Sequence, residues 1–226
     1  MAKFAKIVRE NNEFFLIKKF IRLFRSKIDK SAKTRFSFVL TGGRSPIKLY
    51  KQLAKDKKIP WRKIDFFIGD ERFVKETSKY SNIRMCKKYL LNRINISDKQ
   101  IYNINTNFNS LKQSALDYEK KIKKYFQNKK ITFDLILLGV GLDGHIASLF
   151  KGNIKKRSNK NIDFVKRKDF SRITLTLKCI NRSKSIFLWS PNRKKSNIVE
   201  MILLDKKFKY PASFLKKKNN FLFHCN

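Results

Sequence analysis

The feature that most constrains the fold is an apolar run that ends in a glycine-rich turn. Residues 133–138 are apolar apart from Asp134, and a short apolar run bounded by glycines is typical of a buried β-strand. Three glycines follow, together with Asp143 and His145. Ligands of open α/β sheets bind beyond the carboxyl ends of the strands. The segment therefore predicts a functional site; the alternative is a tight turn whose histidine satisfies a local hydrogen bond.

Strand-like and helix-like segments alternate along the 226 residues. Apolar runs of strand length lie at residues 36–40, 64–68, 133–138, 172–177 and 185–189. Helical periodicity covers residues 14–28, 46–55, 82–91, 111–126 and 192–204, and a further helix is expected to begin near Gly144. This alternation predicts an α/β fold with a mainly parallel, open, Rossmann-like sheet and helices on both faces. Because no repeat or linker interrupts the pattern, we expect a single domain over residues 1–226.

The chain is strongly basic, with 55 Lys and Arg against 17 Asp and Glu and a formal net charge of +38. Such a field attracts anions of every kind, from sugar phosphates to nucleic acid. The basic residues run from end to end, whereas nucleic-acid-binding chains tend to gather them in a tail or on one face. This spread is typical of AT-rich codon usage. The densest stretch, residues 151–170, is expected to be an exposed loop.

The cysteines and the hydropathy favour a cytoplasmic protein. Cys86, Cys179 and Cys225 are odd in number and far apart, which suits neither a disulfide framework nor a zinc site. No apolar run approaches the length of a membrane span, and no signal peptide is expected. The basic, amphipathic residues 14–28 are expected to pack on the core; a helix lying on a membrane surface is the alternative.

The strand predicted at residues 36–40 is followed by Gly42, Gly43, Arg44 and Ser45. Pro46 suits the first position of a helix, with Ser45 as its N-cap. Unpaired backbone N–H groups and the positive end of a helix bind anions. The turn therefore predicts a phosphate site, although the G-K-[ST] ending of a Walker A loop is absent.

The strand predicted at residues 64–68 is followed by Gly69, Asp70, Glu71 and Arg72. Taken alone, this run could be a solvated cluster of charges. In a parallel sheet, however, the three polar strand ends lie along one edge. Their coincidence predicts a single site that is shared by all three.

Several segments, in this order, resemble the 6-phosphogluconolactonase family. The matching positions are residues 41–46, 49–50, 61, 69–72, 81–82, 117–118, 133–135, 138–150 and 172–176. The likeness extends from about residue 36 to residue 204. It implies hydrolysis of 6-phospho-D-glucono-1,5-lactone to 6-phospho-D-gluconate in the oxidative pentose phosphate pathway.

Glucosamine-6-phosphate deaminase belongs to the same wider group and is the alternative enzyme. It shares the sequence Asp-Gly-His-Ile-Ala but continues with Phe-Asn-Glu, and its ring-opening glutamate would fall at Phe150. This chain also has Arg72 where the deaminase has a tyrosine. The resemblance therefore favours the lactonase. A nucleic-acid-binding protein that uses the basic charge is the non-enzymatic alternative.

The resemblance implies catalytic roles for four residues. His145 would act as a general base on water and then as a general acid to the ring oxygen, because the unperturbed pKa of histidine lies near neutrality. Asp143 would orient His145, or would only cap the following helix. Arg72 would stabilise the developing negative charge or bind sugar oxygens, and Asp70 would bind sugar hydroxyls or help to order the site.

The implied substrate-binding positions lie in the first glycine turn or carry a basic side chain: Gly42, Gly43, Arg44, Ser45, Arg172 and Lys194. Pro191 stands where the family has glycine, so the register at Lys194 stays open. No metal or other cofactor is expected, because the two histidines lie in no cluster with ligand spacing. The glycines at 139, 141 and 144 match G-x-G-x-x-G, but Asp163 does not end a second buried strand as a dinucleotide site requires.

Overall fold

The computed structural model describes residues 6–154, 159–216 and 220–225. Its strands are β1 (Lys6–Glu10), β2 (Phe36–Leu40), β3 (Ile64–Ile68), β4 (Asp70–Arg72), β5 (Ile101–Tyr102), β6 (Leu135–Gly139), β7 (Ile162–Val165), β8 (Arg172–Leu175), β9 (Ile186–Ser190) and β10 (Asn220–Cys225). Its α-helices are α1 (Glu13–Asp29), α2 (Ile47–Ala54), α3 (Asn82–Tyr89), α4 (Leu111–Tyr125), α5 (Leu177–Asn181) and α6 (Ser196–Leu204). Short 3-10 helices lie at Trp61–Lys63, Leu91–Arg93, Asp98–Gln100, Arg193–Lys195 and Pro211–Phe214.

Seven strands form one sheet in the order β1-β10-β9-β6-β2-β3-β5, and all of its neighbouring strands are parallel. Crossovers between parallel strands are right-handed, which puts α1, α2 and α3 on one face and α4, α5 and α6 on the other. The predicted fold class is confirmed. Since the chain winds outward in opposite directions from β2 and β6, a crevice is expected beyond the carboxyl ends of these two central strands.

The amphipathic helix α1 packs on the sheet through its aromatic side chains. The Phe20 ring lies 5.3 Å from Phe187, 5.5 Å from Trp189 and 5.1 Å from Phe223, measured between ring centroids. Full burial of one such ring stabilises the fold by roughly 1.5–3 kcal/mol. The prediction of a core-packed helix is confirmed, although Phe14 at its start is 49% exposed.

The structure corrects three local expectations. No helix begins near Gly144: residues 144–150 form turns, because Gly144 and Ala147 have φ of 74° and 47°, outside the right-handed helical region. Helix α2 begins one residue later than expected, and Ser45 does not cap it. The basic stretch 151–170 contains strand β7, while residues 155–158 lie outside the described residues.

Strand β8 contains the predicted Arg172 segment but does not join the large sheet. It pairs antiparallel with β4 on one side and with β7 on the other. Within the described parts of the chain, every helix is too short or too polar to span a bilayer.

Candidate active site

A cleft of about 1620 Å³ lies at the carboxyl ends of β2, β6 and β9, where the winding of the sheet reverses. Of the described residues that line it, nine are basic: Arg44, Lys48, Arg72, Lys79, Arg84, Lys88, Arg193, Lys194 and Lys195. Two are acidic, Glu13 and Asp70, and the Glu13 carboxylate forms an ion pair with Lys48. The imbalance of charge favours an anionic ligand.

His145 lies on a tight turn that follows β6. The backbone N–H of Gly141 donates to the His145 carbonyl at 2.9 Å, and that of Gly144 donates to the Gly141 carbonyl at 3.0 Å. A Cβ atom at position 141 would overlap His145 Nδ1, so that only glycine allows the ring to pack there. Gly141 and Gly144 therefore form the turn that places the imidazole of His145 at the cleft.

Asp143 contacts the same imidazole. Its Oδ1 lies 2.5 Å from His145 Nδ1 and accepts the backbone N–H of His145 at 3.2 Å. Burial by itself raises the pKa of Asp143, but the hydrogen bond and the charge of His145 outweigh it and hold this pKa below its usual value. An ionised acceptor at Nδ1 favours the tautomer that leaves Nε2 free to accept a proton.

Strand β4 contributes two side chains to the cleft. Asp70 is nearly buried, and its Oδ2 accepts a hydrogen bond of 2.6 Å from the Ser148 hydroxyl. The Arg72 guanidinium donates to the Tyr80 carbonyl at 2.8 Å. A carboxylate and a guanidinium that are both held by protein atoms are suited to bind hydroxyls and negative charge.

The turn after β2 forms the opposite wall of the cleft. Gly43 has φ of 83°, a conformation that strongly favours glycine. A Cβ atom at this position would meet no heavy atom within 4 Å, so the backbone conformation, and not crowding, favours glycine here. The Trp189 indole donates to the Ser45 carbonyl at 3.1 Å and holds the turn against β9.

Lys195 follows β9 in the chain, and its side chain reaches the turn after β2. Its Nζ donates to the Val140 carbonyl at 2.5 Å and lies 3.4 Å from Ser45 Oγ. Burial lowers the pKa of Lys195. Lys194 also lines the cleft but is exposed. Lys195 thus contacts the glycine turn through Ser45, whereas the predicted residue, Lys194, is the more exposed of the two.

Arg172 points elsewhere. Its guanidinium donates to both oxygens of Asp169, at 3.0 and 2.5 Å, and to the Phe170 carbonyl at 2.7 Å. It does not line the cleft described above. The ion pair holds the pKa of Asp169 far below its usual range.

The structure thus brings together eight of the ten residues suggested by the sequence as lining residues of one cleft: Gly42, Gly43, Arg44, Ser45, Asp70, Arg72, His145 and Lys194. Asp143 joins them through His145, and Arg172 does not. Sequence reasoning missed Lys195 and Ser148; the lysine pair after a strand was the available signal for the first. Over the described residues, no group of three or more His, Cys, Asp or Glu could hold a metal.

Comparison with known proteins gives consistent results. A profile of the family described as glucosamine-6-phosphate isomerases/6-phosphogluconolactonase matches residues 12–223. The 6-phosphogluconolactonase of Thermotoga maritima is 32% identical over 202 residues, 86% of each chain. That of Synechocystis is 32% identical over 219 residues, 93% of this chain and 91% of the relative. A crystal structure of 6-phosphogluconolactonase from Thermotoga maritima matches with a TM-score of 0.85 at 28% identity, over 97% of this chain and 98% of the other. The chain therefore belongs to the glucosamine-6-phosphate isomerase/6-phosphogluconolactonase family.

Proposed function

We propose that the chain hydrolyses 6-phospho-D-glucono-1,5-lactone to 6-phospho-D-gluconate, the activity that the names of its relatives indicate. Phe150 provides the observation that favours a lactonase over a deaminase within this family. The centroid of this nearly buried ring lies 4.6 Å from that of His145. A deaminase would have its ring-opening glutamate at this position. An apolar ring cannot transfer a proton, but hydrolysis of a lactone needs no acid there.

In the proposed mechanism, His145 Nε2 takes a proton from water as the water oxygen attacks the lactone carbonyl carbon. Asp143 holds Nδ1 and stabilises the imidazolium that forms. Arg72 faces the negative charge that develops on the carbonyl oxygen. The bond from the carbonyl carbon to the ring oxygen then breaks, and the imidazolium returns the proton to the ring oxygen. One histidine thereby makes both proton transfers of the ring opening, and the carboxylic acid that forms loses its remaining proton to solvent to give the gluconate.

The substrate phosphate is placed on the turn of Gly42, Gly43, Arg44 and Ser45. Lys195 supports this placement, because its ammonium group lies beside Ser45 Oγ, and Lys194 provides further positive charge at the rim. Asp70 is assigned to the sugar hydroxyls. Arg172 would need to leave Asp169 to reach the substrate, so we assign it to the support of the loop that follows β7.

The proposal includes a cytoplasmic location and no specific nucleic-acid partner. A phosphorylated sugar does not cross a bilayer unaided, so the enzyme must share the compartment in which its substrate is made. All three cysteines are free and buried, as suits a reducing compartment. The excess of basic side chains at the cleft is accounted for by the anionic substrate.

The direct test is hydrolysis of freshly generated lactone by the purified chain, coupled to 6-phosphogluconate dehydrogenase and read above spontaneous opening. We expect acceleration with the lactone and no ammonia from glucosamine 6-phosphate. Ammonia release without lactone hydrolysis would reverse the assignment. Sequence-selective DNA or RNA binding at physiological salt would instead support the non-enzymatic alternative.

Ser45→Asp should raise KM for the lactone at least tenfold and change kcat little. The introduced carboxylate would face the substrate phosphate and would also neutralise Lys195, whose Nζ lies 3.4 Å from Ser45 Oγ. Steady-state kinetics at fixed ionic strength measure the change.

Ser97→Asp is the matched control for this prediction, since it makes the same charge change at an exposed position outside the cleft. Ser97 is the N-cap of a 3-10 helix, and aspartate caps a helix about as well as serine. The control should therefore fold normally and leave KM unaltered. Equal KM values for the two variants would show that the substrate phosphate does not bind at the glycine turn.

Asp143→Asn should lower kcat by roughly 10- to 100-fold with KM nearly constant. Loss of a buried orienting aspartate costs about 10⁴-fold in serine proteases, and the smaller effect is expected because the Asp143 side chain is 56% exposed. Asp98→Asn, at an exposed position in a 3-10 helix, is the matched control. If the Asp143→Asn variant were as active as this control, the Asp143 carboxylate would have no role in catalysis and would only stabilise the turn.

A further inference from the structure

Glu71 is a buried carboxylate that the mechanism above does not use. It lies between Asp70 and Arg72 on β4 and is only 1% exposed. Its Oε1 accepts the backbone N–H groups of Arg72 at 2.8 Å and Asn82 at 2.7 Å. Its Oε2 accepts the backbone N–H of Ile83 at 2.8 Å and the Ser81 hydroxyl at 3.1 Å. The carboxylate thus joins β4 to the first turn of α3.

This junction reaches two parts of the cleft through Asn82. The Asn82 Nδ2 group donates to the Asp70 carbonyl at 2.7 Å. On its other side the Asn82 carboxamide lies so close to Gly42 that a Cβ atom at position 42 would overlap Asn82 Cγ. The start of α3 is therefore wedged between strand β4 and the glycine turn assigned to the phosphate.

The junction also reaches Arg72. The Tyr80 carbonyl, which accepts from the Arg72 guanidinium at 2.8 Å, immediately precedes Ser81, the N-cap of α3. A shift at the start of α3 would therefore displace both the carbonyl that holds Arg72 and the side chain that packs on Gly42.

All four partners of Glu71 act as donors. The contact of Ser81 Oγ with the Arg84 backbone N–H, at 3.2 Å, uses a lone pair of the hydroxyl oxygen. The hydroxyl hydrogen is therefore free to donate to Glu71. Only an ionised carboxylate accepts from all four; a proton or an amide group on either oxygen would face N–H or O–H donors. Within the described residues, no Lys, Arg or His forms an ion pair with Glu71.

The charged and titratable groups around Glu71 do not relieve its burial. Asp70 on the same strand repels it, Cys86 faces it from α3 with a neutral thiol whose pKa is raised by burial, and Ile173 is its partner on β8. Burial raises the pKa of Glu71 to about 7, and the hydrogen bonds from Asn82, Ile83 and Arg72 act in the opposite direction. Both protonation states are therefore populated near neutral pH.

We propose that Glu71 is a positioning residue that, when ionised, fixes Arg72 and the phosphate-binding turn through the start of α3. This inference rests on the proposed function. It predicts that the affinity for sugar phosphate falls as Glu71 gains a proton. Fold stability should depend on pH in the opposite sense: since the folded pKa lies above the unfolded value, the contribution of Glu71 is largest at low pH and is lost as pH rises through 7.

The test is calorimetric binding of 6-phosphogluconate between pH 6 and pH 8, with His145→Ala as the parent so that the histidine does not titrate. One pH unit below its pKa, about a tenth of a carboxyl group is ionised. We therefore expect the parent to lose more affinity at pH 6, relative to pH 8, than the same protein carrying Glu71→Gln, by up to about tenfold. The second ionisation of the ligand phosphate is common to both proteins and cancels.

Equal pH dependence in the two proteins would overturn the positioning role while leaving the proposed function intact. Failure of the parent, with Glu71 intact, to bind 6-phosphogluconate at any pH would overturn the function itself, and the inference with it. Should Glu71→Gln not fold, NMR of the parent provides the measurement: the backbone amides of Asn82, Ile83 and Arg72 should titrate with one midpoint near pH 7. Separate midpoints, or none, would refute the proposal.

Discussion

His145→Ala should lower kcat for lactone hydrolysis by about 10²- to 10⁴-fold, the range typical of general acid–base catalysis. The ring lies at the cleft and is one-third exposed, so its removal leaves a space that is open to solvent and not an enclosed cavity in the core. We therefore expect a melting temperature within a degree or two of the parent, which is the range of a surface substitution. The coupled assay and thermal unfolding measure the two quantities on the same preparation.

The chain supplies its own control, since its second histidine is structural. His224 on β10 is 1% exposed, lies 3.3 Å from the Ser190 carbonyl through Nδ1, and has its pKa lowered by burial. His224→Asn should lower the melting temperature and leave kcat per folded molecule intact. A His145→Ala variant that retained full kcat would remove the histidine from the mechanism, whatever its stability.

Lys195→Met should raise KM by about 10- to 100-fold. A hydrogen bond to a charged group is worth about 1.5–3 kcal/mol, and each 1.4 kcal/mol is tenfold in affinity. Methionine keeps an unbranched apolar side chain of similar length, so the packing of the lysine stem is retained. It removes the ammonium group that lies against Ser45 Oγ and the Val140 carbonyl. Steady-state kinetics with the lactone, and product inhibition by 6-phosphogluconate, should give the same ratio.

Lys194→Met is the matched control at the adjacent position, with the same change of charge. Lys194 is exposed at the rim, so its loss should raise KM by less than about threefold, as for a screened surface charge. A larger effect at Lys194 than at Lys195 would show that Lys194, the residue suggested by the resemblance to the family, binds the phosphate, and that the half-buried Lys195 does not.

The main strands and helices could be predicted because their signals are local. The runs at residues 36–40 and 64–68 are largely apolar and end in glycine turns, and the structure has strands with these bounds. The helix expected near Gly144 was wrong because the positive φ of Ala147 is imposed by its surroundings and not by its residue type. Strand β10 went unpredicted, since its six residues find their place only between β1 and β9, distant in the chain.

The sequence by itself determined the kind of site: three polar strand ends, a glycine turn shaped for an anion, and a histidine with a carboxylate two residues away. These features follow from residue type and short spacing. Only the tertiary structure decided which side chains meet. It turned Arg172 towards Asp169, placed the half-buried ammonium group of Lys195 beside Ser45, and placed Glu71 under the start of α3. The physical reason is that side-chain direction depends on packing between segments far apart in the chain, which local periodicity does not record.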